Sequence, residues 1–289
     1  MEHFDDAEYL RDETEFLRQN GQRIGFVPTM GALHAGHLSL VERAKREDQA
    51  VVVSIFVNPT QFNNASDLSS YPRTLESDMA LLESVSTDIL FAPSEDEIYP
   101  NQQARSTGPA VDLGALGTVM EGAHRPGHFQ GVMQVVHRLF DIVRPDVAYF
   151  GEKDFQQLAV IRTLVSQLGL PVQIVGCPTC REEDGLAMSS RNVRLTAAER
   201  AEAPVIYRAL KHIRDHHENR PLAELKDEAV RMIESSGHIR VEYLEVADAE
   251  TLLPVTESRA SRHTRSFIAA NLGSVRLIDN EVVHLEKVS

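Results

Sequence analysis

Ile24-Gly25-Phe26-Val27-Pro28-Thr29-Met30-Gly31-Ala32-Leu33-His34-Ala35-Gly36-His37 carries the chain from an apolar run, through a turn, into an amphipathic segment. Residues 24–27 read as a buried strand, and Pro28 with the glycines is expected to end it. Leu38, Leu40, Val41 and Ala44 then recur at helical spacing, which puts His37 near the first turn of a helix. A helix start carries unpaired N–H groups and partial positive charge. Two imidazoles separated there by Ala35-Gly36, with Gly36 leaving room for close approach, can face a triphosphate without blocking it. An isolated HxGH is more often a pair of ordinary polar residues at a helix entrance, so the reading needs independent support.

That support lies far downstream. Gly185-Leu186-Ala187-Met188-Ser189-Ser190-Arg191-Asn192 offers small residues, two hydroxyls and a guanidinium in a stretch with neither helical nor strand periodicity. Such a loop can close over phosphates. An HxGH after the first strand paired with a Met-Ser-Ser-Arg loop after the last resembles the HIGH and KMSKS signatures of the nucleotidylyl-transferase superfamily, which includes class I aminoacyl-tRNA synthetases.

Between these motifs strands and helices alternate. Ala50–Val57 is nearly continuous in apolar residues, as expected of a strand covered on both faces. Further strands are expected at 89–92, 148–150 and 172–175, with helices at 7–19, 72–86, 129–143 and 154–168. The pattern predicts a Rossmann-like, doubly wound parallel sheet whose ligands bind beyond the carboxyl ends of the strands. After Asn192 the texture changes. Thr196-Ala197-Ala198-Glu199 has the form of a capping box opening a long helix to about residue 217, and Pro221 opens another to about 235. Strand-like runs follow at 240–246, 265–270 and 275–277, with a long loop over 253–264. The expected division is an ATP- and acid-binding domain over 1–184 and a smaller α+β domain over 185–289.

Bulk composition narrows the function. Lys and Arg total 29 against 43 Asp and Glu, a net charge of −14, so the overall field repels nucleic acid and argues against a tRNA-binding synthetase. No run of roughly 20 apolar residues suggests a membrane span, and residues 1–15 are acidic instead of basic and apolar, so a cytoplasmic protein is expected. Cys177 and Cys180 are the only cysteines. Redox CxxC chemistry depends on a helix start that lowers the first thiol's pKa, and here a charged turn follows instead. A zinc site would need two more ligands, nominally His212 and His216. Two thiols at a strand end without metal or redox role are the simpler expectation.

Six segments taken together resemble one family. They are Pro28–His37, Phe56-Val57-Asn58-Pro59-Thr60-Gln61-Phe62, Tyr71-Pro72-Arg73, Arg125-Pro126-Gly127-His128-Phe129 with Gly131-Val132, Gly151-Glu152-Lys153-Asp154-Phe155-Gln156-Gln157-Leu158, and Asp184–Asn192. The match is to the pantothenate synthetases, the pantoate–β-alanine ligases, over residues 24–195, with lesser similarity at 241–244 and 276–280. Ala35 stands where the motif often has an acidic residue, at a spacer position. Cys180 stands where the family usually has an aliphatic residue whose backbone meets the adenine. Acidic residues after Tyr71-Pro72-Arg73 are implicated in metal binding in some members, which leaves Asp78 as the candidate here.

The resemblance implies ATP-dependent condensation of (R)-pantoate with β-alanine. The pantoate carboxylate would attack the α-phosphorus of ATP to give pantoyl adenylate and pyrophosphate, and the amine would then displace AMP. The first step needs alignment and charge neutralisation more than a general base. On this reading His34 and His37 donate to phosphate oxygens, Lys153 adds positive charge, and Asp154 or the Gly151 backbone holds the ribose. Met30, Gly31, Gly36, Glu152, Cys180 and Met188 complete the ATP site, and Ser189, Ser190 and Arg191 clamp pyrophosphate. Gln61 and Gln157 suit the hydroxyls and carboxylate of a small polyol acid, with Asn58, Arg125 and His128 completing the acid and amine pockets. Mg2+ is expected with ATP and the family implies a homodimer; because an acyl adenylate is hydrolysed readily in water, the smaller domain from about residue 185 onward is expected to close over the ATP site. Read singly, Lys153 would be a surface ion pair and the polar five ordinary surface groups. The competing readings are another nucleotidylyltransferase of the superfamily and a catalytically silent nucleotide-binding protein.

Overall fold

The computed structural model describes residues 1–101, 107–257 and 261–286. The chain divides into two compact units, one made of Met1–Leu113, Arg125–Glu152 and Gln157–Pro178, the other of Gly114–His124, Lys153–Gln156 and Thr179–Ser289. The break at Pro178 precedes the expected one at 185, and two short segments from the middle of the chain join the second unit.

The first unit is built on a six-stranded sheet of β1 (Glu2–Phe4), β2 (Ile24–Thr29), β3 (Ala50–Ile55), β4 (Ile89–Phe91), β5 (Val147–Gly151) and β6 (Gln173–Cys177), in the order β1-β4-β3-β2-β5-β6. Every pairing is parallel. Val51, Val52 and Val53 are fully buried, as a strand covered on both faces requires. The order runs outward from β2 to one edge and resumes on its other side with β5, so the reversal of strand order lies between β2 and β5. The loop after β2 therefore opens into the crevice where such sheets bind ligands.

Several expectations shift. Pro28 does not end its strand: it pairs with Ser54 of β3, and Thr29 with Ile55. Pairing to β5 has already stopped after Phe26 and Ala148, so that side of the ladder places no demand on the proline's missing donor. The helix expected over 72–86 is Leu75–Ser84, preceded by a short helix at Ala65–Ser70. The edge strand β1 and the helix Glu95–Ile98 have too little apolar periodicity to be read from sequence.

In the second unit β7 (Ile239–Asp248), β8 (His263–Leu272) and β9 (Val275–Leu285) form an antiparallel sheet, longer at each strand than the apolar runs suggest. Part of the expected 253–264 loop, residues 258–260, lies outside the described residues. The long helix expected from 197 is broken into Ala197–Glu202 and Val205–His216, because Pro204 has no N–H to continue the ladder. Its start is the expected capping box of Thr196 and Glu199. Ile206, Leu210 and Ile213 pack with Leu225, Ile233, Ile268 and Leu277, each worth about 1.5–3 kcal/mol when fully buried. The segment Gly114–His124 is tied to this sheet by Arg276, whose guanidinium holds Glu121 at 2.7 and 2.9 Å and also pairs with Glu242, while the Tyr243 hydroxyl donates to Glu121 at 2.8 Å. Among the described residues no helix is long and apolar enough to cross a membrane.

Candidate active site

The first unit places both histidines at the start of the helix Ala35–Glu47. His34 is its N-cap. The Gly36 N–H donates to His34 Nδ1 at 3.1 Å, and the His34 N–H donates to His37 Nδ1 at 3.3 Å. The two side chains thus form a reciprocal capping box in which imidazoles stand where Ser and Glu usually do. With each Nδ1 accepting, the proton of each neutral ring sits on Nε2, the atom able to donate to an oxyanion.

The turn before His34 is unusual. Gly31 has φ +77° and Ala32 φ +49°, so a residue bearing a Cβ follows glycine into the left-handed region. Thr29 anchors the turn, donating from its hydroxyl to Ser54 O at 2.8 Å and accepting the Gly31 N–H at 3.1 Å. Asp78, which the sequence suggests as a metal ligand, is buried. Its carboxylate accepts the N–H groups of Ala32 and Leu33 at 2.9 and 2.8 Å and the Thr74 hydroxyl at 3.1 Å.

Met30 links this turn to Gln61, since its sulfur accepts Gln61 Nε2 at 2.9 Å. Gln61 ends a 3-10 turn, Pro59–Gln61, capped by Asn58. Asn58 is 1% exposed, and its amide is engaged throughout by protein. Oδ1 accepts Thr60 Oγ1 at 3.1 Å and the Tyr99 hydroxyl at 2.9 Å, while Nδ2 donates to Gly131 O at 3.1 Å and Gln61 Oε1 at 3.3 Å. Asn58 therefore builds the wall that holds Gln61. His128, at the start of the helix His128–Val143, and Arg125, three residues before it, do the same: His128 Nδ1 lies 2.9 Å from Gln61 O, and Arg125 Nη1 lies 3.1 Å from His128 Nε2. Because the guanidinium can only donate, Nε2 accepts and Nδ1–H donates to the carbonyl. At Gly131 a Cβ would fall 2.4 Å from Thr60 O, so only glycine lets this helix approach the turn. Tyr99 carries no motif in its sequence surroundings and is found only through its bond to Asn58.

Gly151 ends β5, paired with Cys177, and Glu152–Asp154 forms a 3-10 turn. Lys153 belongs to the second unit. Its ammonium lies 3.6 Å from Asp154, and Asn280 Nδ2 donates to its backbone carbonyl at 2.9 Å. Asn280 is itself held by Arg265, at 2.6 Å, whose guanidinium lies over the Phe155 ring. Gln156 is buried, donating to Leu116 O and Val119 O at 2.8 and 2.9 Å and accepting the Glu121 N–H. Gln157, the neighbour expected to bind substrate, is half-buried.

The downstream loop is a short hairpin. Arg181 bridges to Ala187, and the Met188 N–H donates to Cys180 O at 3.0 Å, so that carbonyl already serves a protein donor. Gly185, at φ +94°, sits against Tyr207 where a Cβ would come within 2.4 Å of the ring. Arg181 pins the hairpin through Gly185 O at 3.2 Å and a two-pronged bond to Asp279 at 2.7 and 3.1 Å. Ser189 caps the 3-10 turn Ser190–Arg194 by accepting the Arg191 N–H, which leaves its own O–H to donate; Ser190 is buried.

Neither cysteine is in a disulfide. Burial pushes the Cys177 thiol up, against the opposing pull of Arg43, whose Nη1 lies 3.8 Å away. His212 pairs with Glu228 at 2.9 Å, and no group of three or more metal-binding side chains occurs among the described residues.

A family model described as pantoate-beta-alanine ligase matches residues 2–282. The chain belongs to that family. A pantothenate synthetase of Porphyromonas gingivalis is 49% identical over 283 residues, 97% of this chain and 98% of that protein. Another from Bacteroides thetaiotaomicron is 50% identical over 271 residues, covering 94% of this chain and 95% of that protein. The crystal structure of pantothenate synthetase from Thermus thermophilus superposes with a TM-score of 0.91 at 46% identity, over 98% of this chain and 100% of that one. A pantoate-beta-alanine ligase from Francisella tularensis, whose structure holds beta-gamma ATP and beta-alanine, gives a TM-score of 0.82 at 38% identity, with 98% of each chain covered. The enzyme is thus an ATP-dependent ligase that forms pantothenate, and its parallel sheet with a small antiparallel domain is the architecture of that family.

Proposed function

We propose that the enzyme activates (R)-pantoate as its acyl adenylate and passes the acyl group to β-alanine. A pantoate carboxylate oxygen bonds to the α-phosphorus of ATP as the bond to pyrophosphate breaks. The β-alanine nitrogen then bonds to the acyl carbon, AMP leaves, and the amine gives up a proton. The observation that carries this reading is the reciprocal capping of His34 and His37, which fixes both rings as Nε2–H donors at a helix start. Donors preset in this way stabilise developing phosphate charge without reorganising during the reaction.

Lys153 adds the mobile positive charge, and Ser189, Ser190 and Arg191 hold pyrophosphate. Gly151, Glu152, Asp154, Cys180 and Met188 bound the nucleotide. Gln61 and Gln157 bind pantoate, with Asn58, Arg125 and His128 holding Gln61 in place. A loop at 185–195 that closes over the adenylate, shielding it from water until the amine arrives, belongs to the same proposal. The described residues provide no carboxylate cluster for Mg2+, so a magnesium ion arriving with ATP would rely on phosphates and water, and no step is derived through it. A cytoplasmic homodimer completes the proposal, the dimer being supported by the family resemblance.

Isotope exchange tests the order of events. Labelled pyrophosphate should enter ATP when pantoate is present and β-alanine absent, and oxygen-18 from the pantoate carboxylate should appear in AMP after full turnover. Exchange that requires β-alanine, or AMP without label, would rule out the adenylate.

A further inference from the structure

We propose that Asp78 is a positioning residue for catalysis, whose buried carboxylate holds the Gly31–Leu33 turn in the shape that aims His34 and Met30. The inference rests on the ligase reading for its kinetic consequence but not for its geometry. Gly31 and Ala32 are successive residues at φ +77° and +49°, and alanine has no intrinsic preference for that region. Something must hold it there. In this turn the N–H groups of Ala32 and Leu33 both converge on Asp78, one on each oxygen, at 2.9 and 2.8 Å. Thr74 adds a hydroxyl donor to Oδ1 at 3.1 Å. A Cβ on Gly31 would lie 3.0 Å from Asp78 Oδ2 and 3.0 Å from Ile55, so the turn is also pressed against its anchor.

Both neighbours of this turn are tied to groups that act in the proposed reaction. Met30 precedes it and accepts Gln61 through its sulfur. His34 follows it, and its backbone N–H sets the tautomer of His37. A shift of the turn therefore moves the two phosphate donors and the acid-binding glutamine together. Asp78 is 1% exposed, with three protein donors on its two oxygens, an environment that satisfies an anion from within the protein. This is why a carboxylate suggestive of a metal ligand in sequence does another job in the fold.

Asp78→Asn tests the proposal, because it preserves size but leaves one amide N–H facing an NH2. Turnover should fall on the order of a hundredfold, the scale of a misaligned reacting geometry. Long-range proton–nitrogen NMR spectra of the ligand-free protein should show Nε2–H signals for His34 and His37 in the wild type, and shifted or tautomer-averaged signals in the variant. The milder Thr74→Val should shift them in the same direction, and it serves if Asp78→Asn does not fold. A folded Asp78→Asn with wild-type turnover and unchanged imidazole signals would overturn the proposal. So would recovery of its activity at raised Mg2+, which would make Asp78 a metal ligand. Absence of pantothenate formation by the wild type would instead defeat the ligase reading, while the NMR comparison still reports on the turn.

Discussion

The imidazoles of His34 and His37 lie with ring centroids 4.0 Å apart, and each accepts through Nδ1 a backbone N–H from the turn they share. The capping role uses Nδ1, whereas the proposed phosphate contact uses Nε2 of the same ring. The two roles can therefore be separated by substitution.

At position 34 we expect Asn to retain the cap, since its side-chain oxygen can accept from the same turn, while Ala loses it. His34→Ala should cost about 1 kcal/mol of stability and His34→Asn only a few tenths. Both should lose turnover on the order of a hundredfold through the missing Nε2–H. Thermal unfolding beside steady-state kinetics checks this, and equal stability of the two variants would contradict the capping role.

Lys153 is anchored by its backbone carbonyl, not its side chain, through Asn280. Lys153→Ala should therefore fold with stability within about 0.5 kcal/mol of the wild type. Its turnover should fall on the order of a hundredfold. Near wild-type turnover in a titration of both substrates would remove Lys153 from the mechanism.

The buried Cys177 thiol, held above its ordinary range by desolvation, should resist alkylation in the native protein, whereas the half-exposed Cys180 should react first. Mass spectrometry of iodoacetamide-treated protein reads the order. Cys177→Ala and Cys180→Ala should both remain active, and metal analysis should find no stoichiometric zinc. One zinc per chain would overturn the reading of these thiols.

Arg276 is the partner of both Glu121 and Glu242, so Arg276→Met leaves two carboxylates facing one another beside the Tyr243 hydroxyl. A loss of about 3 kcal/mol is expected, the scale seen when one partner of a buried pair is removed. Adding Glu121→Gln should recover part of it. Urea unfolding of the single and double variants measures both, and additive losses would show that the pair is not coupled.

How far the sequence can be read follows from how local each signal is. The strand–turn–helix of residues 24–47 is written in neighbouring residues, so periodicity and glycines alone suffice to place His34 and His37 at a helix entrance. The capping box at Thr196 is equally local. Pro204 is visible too, but the apolar spacing on either side of it argues for one helix where the fold has two. What sequence does not reveal are partners distant along the chain: Asp78 under Ala32 and Leu33, Tyr99 beneath Asn58, Asn280 behind Lys153. Each is a polar side chain whose task is defined by a group brought to it only by folding. Residue type at such positions reveals a capacity to bond, not the object bonded.

The contact at Gly131 has a consequence for inhibitor chemistry. Backbone meets backbone there with no side chain between, so the Pro59–Gln61 turn has no soft layer behind it to yield when a bulkier acid is offered. Under the proposed binding of pantoate at Gln61, compounds that extend toward it must be shaped to the turn as it stands, and selectivity between polyol acids there should come from steric exclusion. Under that same binding mode, a resistance mutation that enlarges residue 131 would have to displace the turn, disturbing substrate and inhibitor alike, which makes this position a poor route of escape.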